Sequence, residues 1–131
     1  MAEPERPYRA LIVEDDPGIR RLVEKLLLRN GIEIDLAHDG KVAMDKIRDG
    51  DYSVIVLDLM LPLANGYEVI EFIKRNGTST PVAVVSAVSQ QALTKLDRDV
   101  VKLVISKPFD VVEFTKAIVG LCRDAGDRAA S

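Results

Sequence analysis

A chain of 131 residues has room for one domain with a buried core and none for a second substantial module, so we read residues 1–131 as a single unit with its core at about 8–122 and polar tails. Hydrophobic residues make up 47% and charged ones 30%, with three Phe, three Tyr and no Trp, which leaves the core to Val, Ile and Leu and excludes a disordered chain. A net charge of −3 without a basic, aromatic-studded stripe gives no footprint for nucleic acid. No apolar stretch approaches the roughly 20 residues of a bilayer span and Met1 to Pro7 lacks a signal peptide's apolar region, so no membrane insertion and a cytoplasmic location are expected.

In chain order, Tyr8 to Val13 reads as a strand, followed by Asp16-Pro17 as a helix N-cap and first helical position. Ile19, Leu22, Val23, Leu26 and Leu27 recur at helical spacing, Arg20, Arg21, Lys25 and Arg29 cover the other side, and Gly31 ends the helix. Ile32, Ile34 and Leu36 alternate with Glu33 and Asp35 as in a strand with one exposed face, and a short helix through Val42, Ala43, Met44 and Ile47 stops at Gly50. Ser53 to Leu57 is a continuous apolar strand, and the loop from Asp58 to Gly66 contains Pro62 and Asn65. A helix with Val69, Ile70 and Ile73 then runs to Asn76-Gly77, the strand Val82 to Val85 ends at Ser86, and a helix with a thin apolar face is expected from about Ser89 to Arg98. Val100 to Ile105 is the fifth strand, and Asp110 with Glu113 caps a last helix that should fray from Asp124 to Ser131. Five strand–helix units with right-handed crossovers build a doubly wound α/β fold with a parallel sheet covered on both faces.

Three apolar runs end in charge: Leu11-Ile12-Val13 in Glu14-Asp15-Asp16, Val54-Ile55-Val56-Leu57 in Asp58, and Val104-Ile105-Ser106 in Lys107-Pro108. If each run is a buried parallel strand, these groups share the carboxyl edge of one sheet, where open α/β folds keep their sites. Clustered carboxylates beside one lysine repel one another unless a cation joins them, and hard divalent ions such as Mg²⁺ prefer carboxylate oxygen. Asp16, before Pro17, is better used as a helix cap than as part of this cluster. His38, next to Asp39-Gly40, reads as a solvated turn residue, and the lone Cys122 as packing.

Together, Glu14-Asp15 after strand one, Asp58 after strand three, Ser86 after strand four and Lys107-Pro108 after strand five resemble the receiver domain of two-component response regulators, over about Tyr8 to Cys122. The resemblance implies a flavodoxin-like sheet of order 2-1-3-4-5. It implies Asp58 as phosphoacceptor in a Mg²⁺-dependent transfer, with Lys107 and Ser86 contacting the phosphoryl group. Asp15, Asp58 and the backbone carbonyl of Met60 would bind the metal directly and Glu14 through water, and the bond before Pro108 could be cis. The implied partners are a histidine kinase or histidine phosphotransfer protein and a downstream protein target. The chain would be a stand-alone phosphoacceptor rather than an enzyme with its own substrate, intact between Met1 and its polar tail, since no effector domain follows the last helix.

Departures from the family pattern open alternatives. Val104 stands where an aromatic switch residue is common, so output is expected to run through the Ser86 loop, residues 87–91, or the domain could act as a phosphorylation-independent interaction module. An aspartate-nucleophile phosphatase would carry a second Asp two residues after Asp58, where this chain has Met60. Met60 and Val88 occupy the two positions that flank the attacking water in this family, and neither can orient it, which implies a long-lived aspartyl phosphate.

Overall fold

The computed structural model describes residues 7–61, 63, 65–87 and 90–130, the side chains of 90, 92 and 125–130 excepted. Strands and helices alternate: β1 (Arg9–Val13), α1 (Pro17–Leu28), β2 (Glu33–Ala37), α2 (Gly40–Asp49), β3 (Val54–Leu57), α3 (Gly66–Asn76), β4 (Val82–Ser86), α4 (Gln90–Leu93), β5 (Val101–Ser106) and α5 (Val111–Ala130). The five strands form one parallel sheet of order β2-β1-β3-β4-β5, as expected.

Alternate side chains of the three central strands feed two separate cores, because successive residues of a strand point to opposite faces. Leu11, Val13, Ile55, Leu57, Val82 and Val84 pack with α2 and α3 through Ala43, Ile47, Val69, Ile70 and Ile73. Ala10, Ile12, Val54, Val56, Ala83 and Val85 pack with α1 and α5 through Val23, Leu27, Phe114, Ile118 and Cys122. Burial of β1, β3 and β4 on both faces explains why they read as unbroken apolar runs. Cys122 is fully buried, and burial pushes its thiol up to about 11, in keeping with a packing role.

Helix starts follow local polar chemistry. Asp16 caps α1 by accepting from the N–H groups of Gly18 (2.8 Å) and Ile19 (3.2 Å), with Pro17 in the first turn. Asp39, Asn65 and Asp110 do the same for α2, α3 and α5. Gly77 ends α3 in the left-handed region at φ 70°, and Gly31 follows α1 at φ 76°.

β1 and β3 each begin one residue later than the sequence reading, at Arg9 and Val54, and three later elements also differ from it. The fourth helix, expected to reach Arg98, stops at Leu93, and the chain runs through turns to Val100. Leu93 and Leu96 are buried without a continuous helix, while the Thr94 hydroxyl bonds the Gln91 carbonyl and Asp97 accepts from the Asp99 N–H, local bonds that compete with helical ones. The fifth strand starts one residue later than expected, and it ends one residue later because its pairing with β4 slips between Val82 and Ala83, from Val82↔Val101 to Ala83↔Leu103. The last helix does not fray at Asp124 but continues to Ala130.

The first turn of α3 lies hard against the end of β3. A Cβ at Gly66 would sit 2.5 Å from the Leu59 Cα and 2.6 Å from the Asp58 carbonyl oxygen, both backbone atoms that cannot swing aside. Gly66→Ala should therefore cost about 2 kcal/mol in chemical denaturation, the range of an overpacked core site. Gly120 in α5 has nothing within 4 Å of the added methyl. Gly120→Ala should stabilise by up to about 1 kcal/mol through helix propensity alone, and loss of stability there would contradict the open surroundings.

Candidate functional site

Parallel register brings the ends of the central strands level, with Val13 beside Leu57 and Leu57 beside Val84. The next residues inherit that alignment. Glu14 donates its N–H to the Ala37 carbonyl, Asp58 to the Val13 carbonyl and Lys107 to the Ser86 carbonyl, so the backbone under each charged group is an extension of the sheet.

The Lys107 ammonium bridges two buried carboxylates, 2.7 Å from Glu14 Oε1 and 3.1 Å from Asp58 Oδ2. The second oxygens are also used. Glu14 Oε2 accepts the Asp16 N–H at 3.2 Å, and Asp58 Oδ1 accepts the Met60 N–H at 3.1 Å. Asp15 is exposed at the rim, and carboxylate oxygens of Glu14, Asp15 and Asp58 lie within 4.8 Å of one another. Ser86 is fully buried at the end of β4, one strand across from Asp58. Lys107–Pro108 is a cis bond.

Burial dominates the electrostatics. It pushes the Glu14 carboxyl up to about 7, with the Asp58 charge adding to the rise and the Lys107 hydrogen bond opposing it. Burial pulls Lys107 down, but its hydrogen bond to Glu14 and the charges of Asp58 and Glu14 hold it above the usual lysine range. Lys107 is therefore held as a cation between two acids, with Asp15 clustered beside them.

The expected residues Glu14, Asp15, Asp58, Ser86 and Lys107 all converge at this edge. Met60 lies two residues after Asp58, its side chain 65% exposed at the mouth, and Val88 and Pro62 lie outside the described residues. Asp16 caps the helix, and its carboxylate is not among the clustered oxygens. His38 is exposed, 3.3 Å from Asp39. Val104 is half-buried in β5 opposite Val84, with residues 88 and 89 of the neighbouring loop outside the described set.

Two features escaped the sequence reading. The shorter contact of Lys107 is with Glu14, a pairing 93 residues apart that no local pattern encodes. Arg20, read as part of the outer face of α1, turns back so that its Nη1 donates to the carbonyl oxygens of Glu14 (3.0 Å) and Asp15 (3.5 Å). Its position one turn after the Asp16 cap was the available signal.

A parallel sheet of this order with its acids at the carboxyl edge is the architecture of a phosphorelay receiver, and comparison with known proteins agrees. The chain belongs to the response regulator receiver domain family, whose model matches residues 10–119. It is 34% identical over 120 residues to the response regulator ArlR of Staphylococcus epidermidis, covering 90% of this chain and 54% of that protein. The chain thus spans about half the length of the curated relatives it matches. The receiver domain of Francisella response regulator 1452 superposes with a TM-score of 0.84 at 28% identity, covering 91% of this chain and 98% of that one. The response regulator TrrA of Thermotoga maritima, solved in complex with Mg²⁺–BeF, gives 0.78 at 28% identity, covering 87% and 98%. Among the described residues no helix is long and apolar enough to cross a membrane.

The raised Glu14 group makes a prediction about the metal-free protein. Its folded value of about 7 lies above the ordinary 4.5, so the folded state holds that proton more tightly and unfolding releases it between these values. The contribution to stability is full below about 4.5 and is lost as pH rises through about 7. Thermal unfolding in EDTA should show this downward slope, and Glu14→Gln should flatten it; an unchanged slope in the variant would place the titration elsewhere.

Proposed function

We propose that this protein takes a phosphoryl group from a phosphohistidine of a histidine kinase or histidine phosphotransfer protein onto Asp58, in a Mg²⁺-dependent transfer, and signals by altered binding to a protein target. The observation that carries the reading is the Lys107 ammonium set between Glu14 and Asp58 with Asp15 at the rim.

The donor set suits a divalent cation. Three carboxylates cluster beside one lysine, every candidate ligand atom is a hard oxygen, and burial leaves Glu14 reluctant to ionise. Asp15, Asp58 and the Met60 carbonyl would hold the ion directly and Glu14 through water. When bound, Mg²⁺ supplies neutralisation of charge on the carboxylates and on the phosphoryl oxygens. A carboxylate oxygen of Asp58 attacks phosphorus, the phosphorus–nitrogen bond to histidine breaks, and its electron pair returns to the imidazole, which takes up a proton. Lys107, already at Asp58, is placed to follow the charge onto a phosphoryl oxygen. The Ser86 hydroxyl, at the end of β4, would meet a second phosphoryl oxygen.

With Mg²⁺ and acetyl phosphate, the wild type should gain one hydroxylamine-labile phosphoryl group by intact mass and Asp58→Asn none; equal labelling would refute Asp58 as acceptor. Asp15→Asn should weaken Mg²⁺ binding strongly and Asp16→Asn hardly at all, because Asn caps a helix nearly as well as Asp. Equal losses would shift the metal register by one residue.

Dephosphorylation should be slow. Met60 offers no hydrogen-bonding group to an attacking water, and by position neither does Val88. The double variant Met60→Asn, Val88→Glu should lose phosphate about tenfold faster or more, and an unchanged half-life would show that water orientation does not limit hydrolysis.

A further inference from the structure

Residue 20 holds three consecutive carbonyl groups of the turn that carries the site's acids. The Arg20 side chain donates from Nη1 to Glu14 O at 3.0 Å and Asp15 O at 3.5 Å, and its backbone N–H donates to Asp16 O at 2.9 Å. The turn between β1 and α1 is otherwise tied to the sheet edge at Glu14, whose N–H meets Ala37 O and whose carboxylate accepts from Lys107, and it closes on itself through the Asp16 N–H to Glu14 Oε2 bond. Asp15 lies between these ties, exposed, and its carboxylate accepts no hydrogen bond from the described residues, so the backbone beneath it fixes the point from which it reaches. A guanidinium suits such a clamp, because its planar N–H groups keep their charge at any working pH and can meet two carbonyls from one side. Those carbonyls belong to the two residues whose carboxylates lie within 4.8 Å of an Asp58 oxygen.

We infer that Arg20 is a positioning residue for the acidic site: by clamping the Glu14 and Asp15 carbonyls to the first turn of α1, it turns both carboxylates toward Asp58 and so sets the affinity for the divalent cation. The inference rests on the proposed metal site, but the clamp itself has an observable in the metal-free protein. Arg20 does not touch the reacting atoms; its side-chain hydrogen bonds are to backbone carbonyls alone among the described residues.

The test compares Arg20→Met, Arg20→Lys and Arg21→Met by two measurements. Arg21 is the exposed neighbour, and its loss changes net charge equally. Titration with MgCl₂, followed by amide shifts, should show about tenfold weaker binding in Arg20→Met, in line with the effect of losing a group that orients metal ligands. Arg20→Lys, which keeps one charged donor, should recover much of that loss, and Arg21→Met should match the wild type. A merely structural role would lower the folded fraction and the signal amplitude but leave the dissociation constant of the folded protein unchanged. Hydrogen exchange in EDTA should be faster at Asp16, whose N–H bonds Glu14 Oε2, in Arg20→Met and unchanged in β3 and β4. Unaltered Mg²⁺ affinity in Arg20→Met, or equal weakening in Arg21→Met, overturns the inference. Failure of the wild type to bind Mg²⁺ would instead overturn the metal reading, and the exchange data would then decide the clamp: slow exchange in Arg20→Met would overturn it as well.

Discussion

The Lys107 ammonium is the only cation within hydrogen-bonding distance of the two buried acids in the described site, and the arrangement around it depends on keeping that charge between Glu14 and Asp58. Two buried carboxylates left to themselves would protonate or splay apart, since a charge moved out of water is costly unless it is paired. One lysine offsets part of that cost. With Asp15 at the rim, three acids cluster beside one ammonium, and burial, with the Asp58 charge adding to it, raises Glu14 to about 7. The fold tolerates the imbalance because the backbone beneath each group is bonded into the sheet and cannot relax away from it. A local conflict of this kind, held in place by a consistent scaffold, is what a site for an external cation and an anionic group requires.

Asp35 shows the same side chain put to an ordinary use. On the edge strand β2 it accepts from Lys46 at 2.7 Å, from the Tyr52 hydroxyl at 2.7 Å and from Arg9 at 3.4 Å. Burial alone would raise its pKa, but the Lys46 and Tyr52 hydrogen bonds outweigh it and hold the carboxyl below its usual value. Asp35 is thus saturated with donors, and its charge is a structural asset. Glu14 sits on the other side of that division, with fewer donors than charge. The contrast separates an acid that stitches strands and helices together from one that is kept available.

Placement of the site follows from the order of the chain as much as from its charges. β1, β3 and β4 lie side by side, so residues 14, 58 and 86 fall next to one another although 72 positions separate the first from the last. Helix caps then decide which neighbours stay out of the cluster: Asp16 and Asp110 are spent on N–H groups of α1 and α5. In β5 the half-buried Val104 presents no large side chain that could exchange interior for solvent.

Much of this was legible in the sequence because it is local. Apolar runs of four to six residues marked the strands, Asp16-Pro17 marked the start of α1, and the charged residue after each run marked the edge where the site lies, since a buried parallel strand must release its first polar residue at its end. Resemblance to a known family supplied the strand order and the roles. Tertiary structure decided what depends on distance between strands. The preference of Lys107 for Glu14, the saturation of Asp35 and the return of Arg20 onto the carbonyls of Glu14 and Asp15 are set by how strands and helices sit in space, which spacing along the chain does not encode. The fourth helix was misjudged for a related reason: burial of Leu93 and Leu96 requires only that they reach the core, and turns stabilised by Thr94 and Asp97 bring them there as well as a helix would.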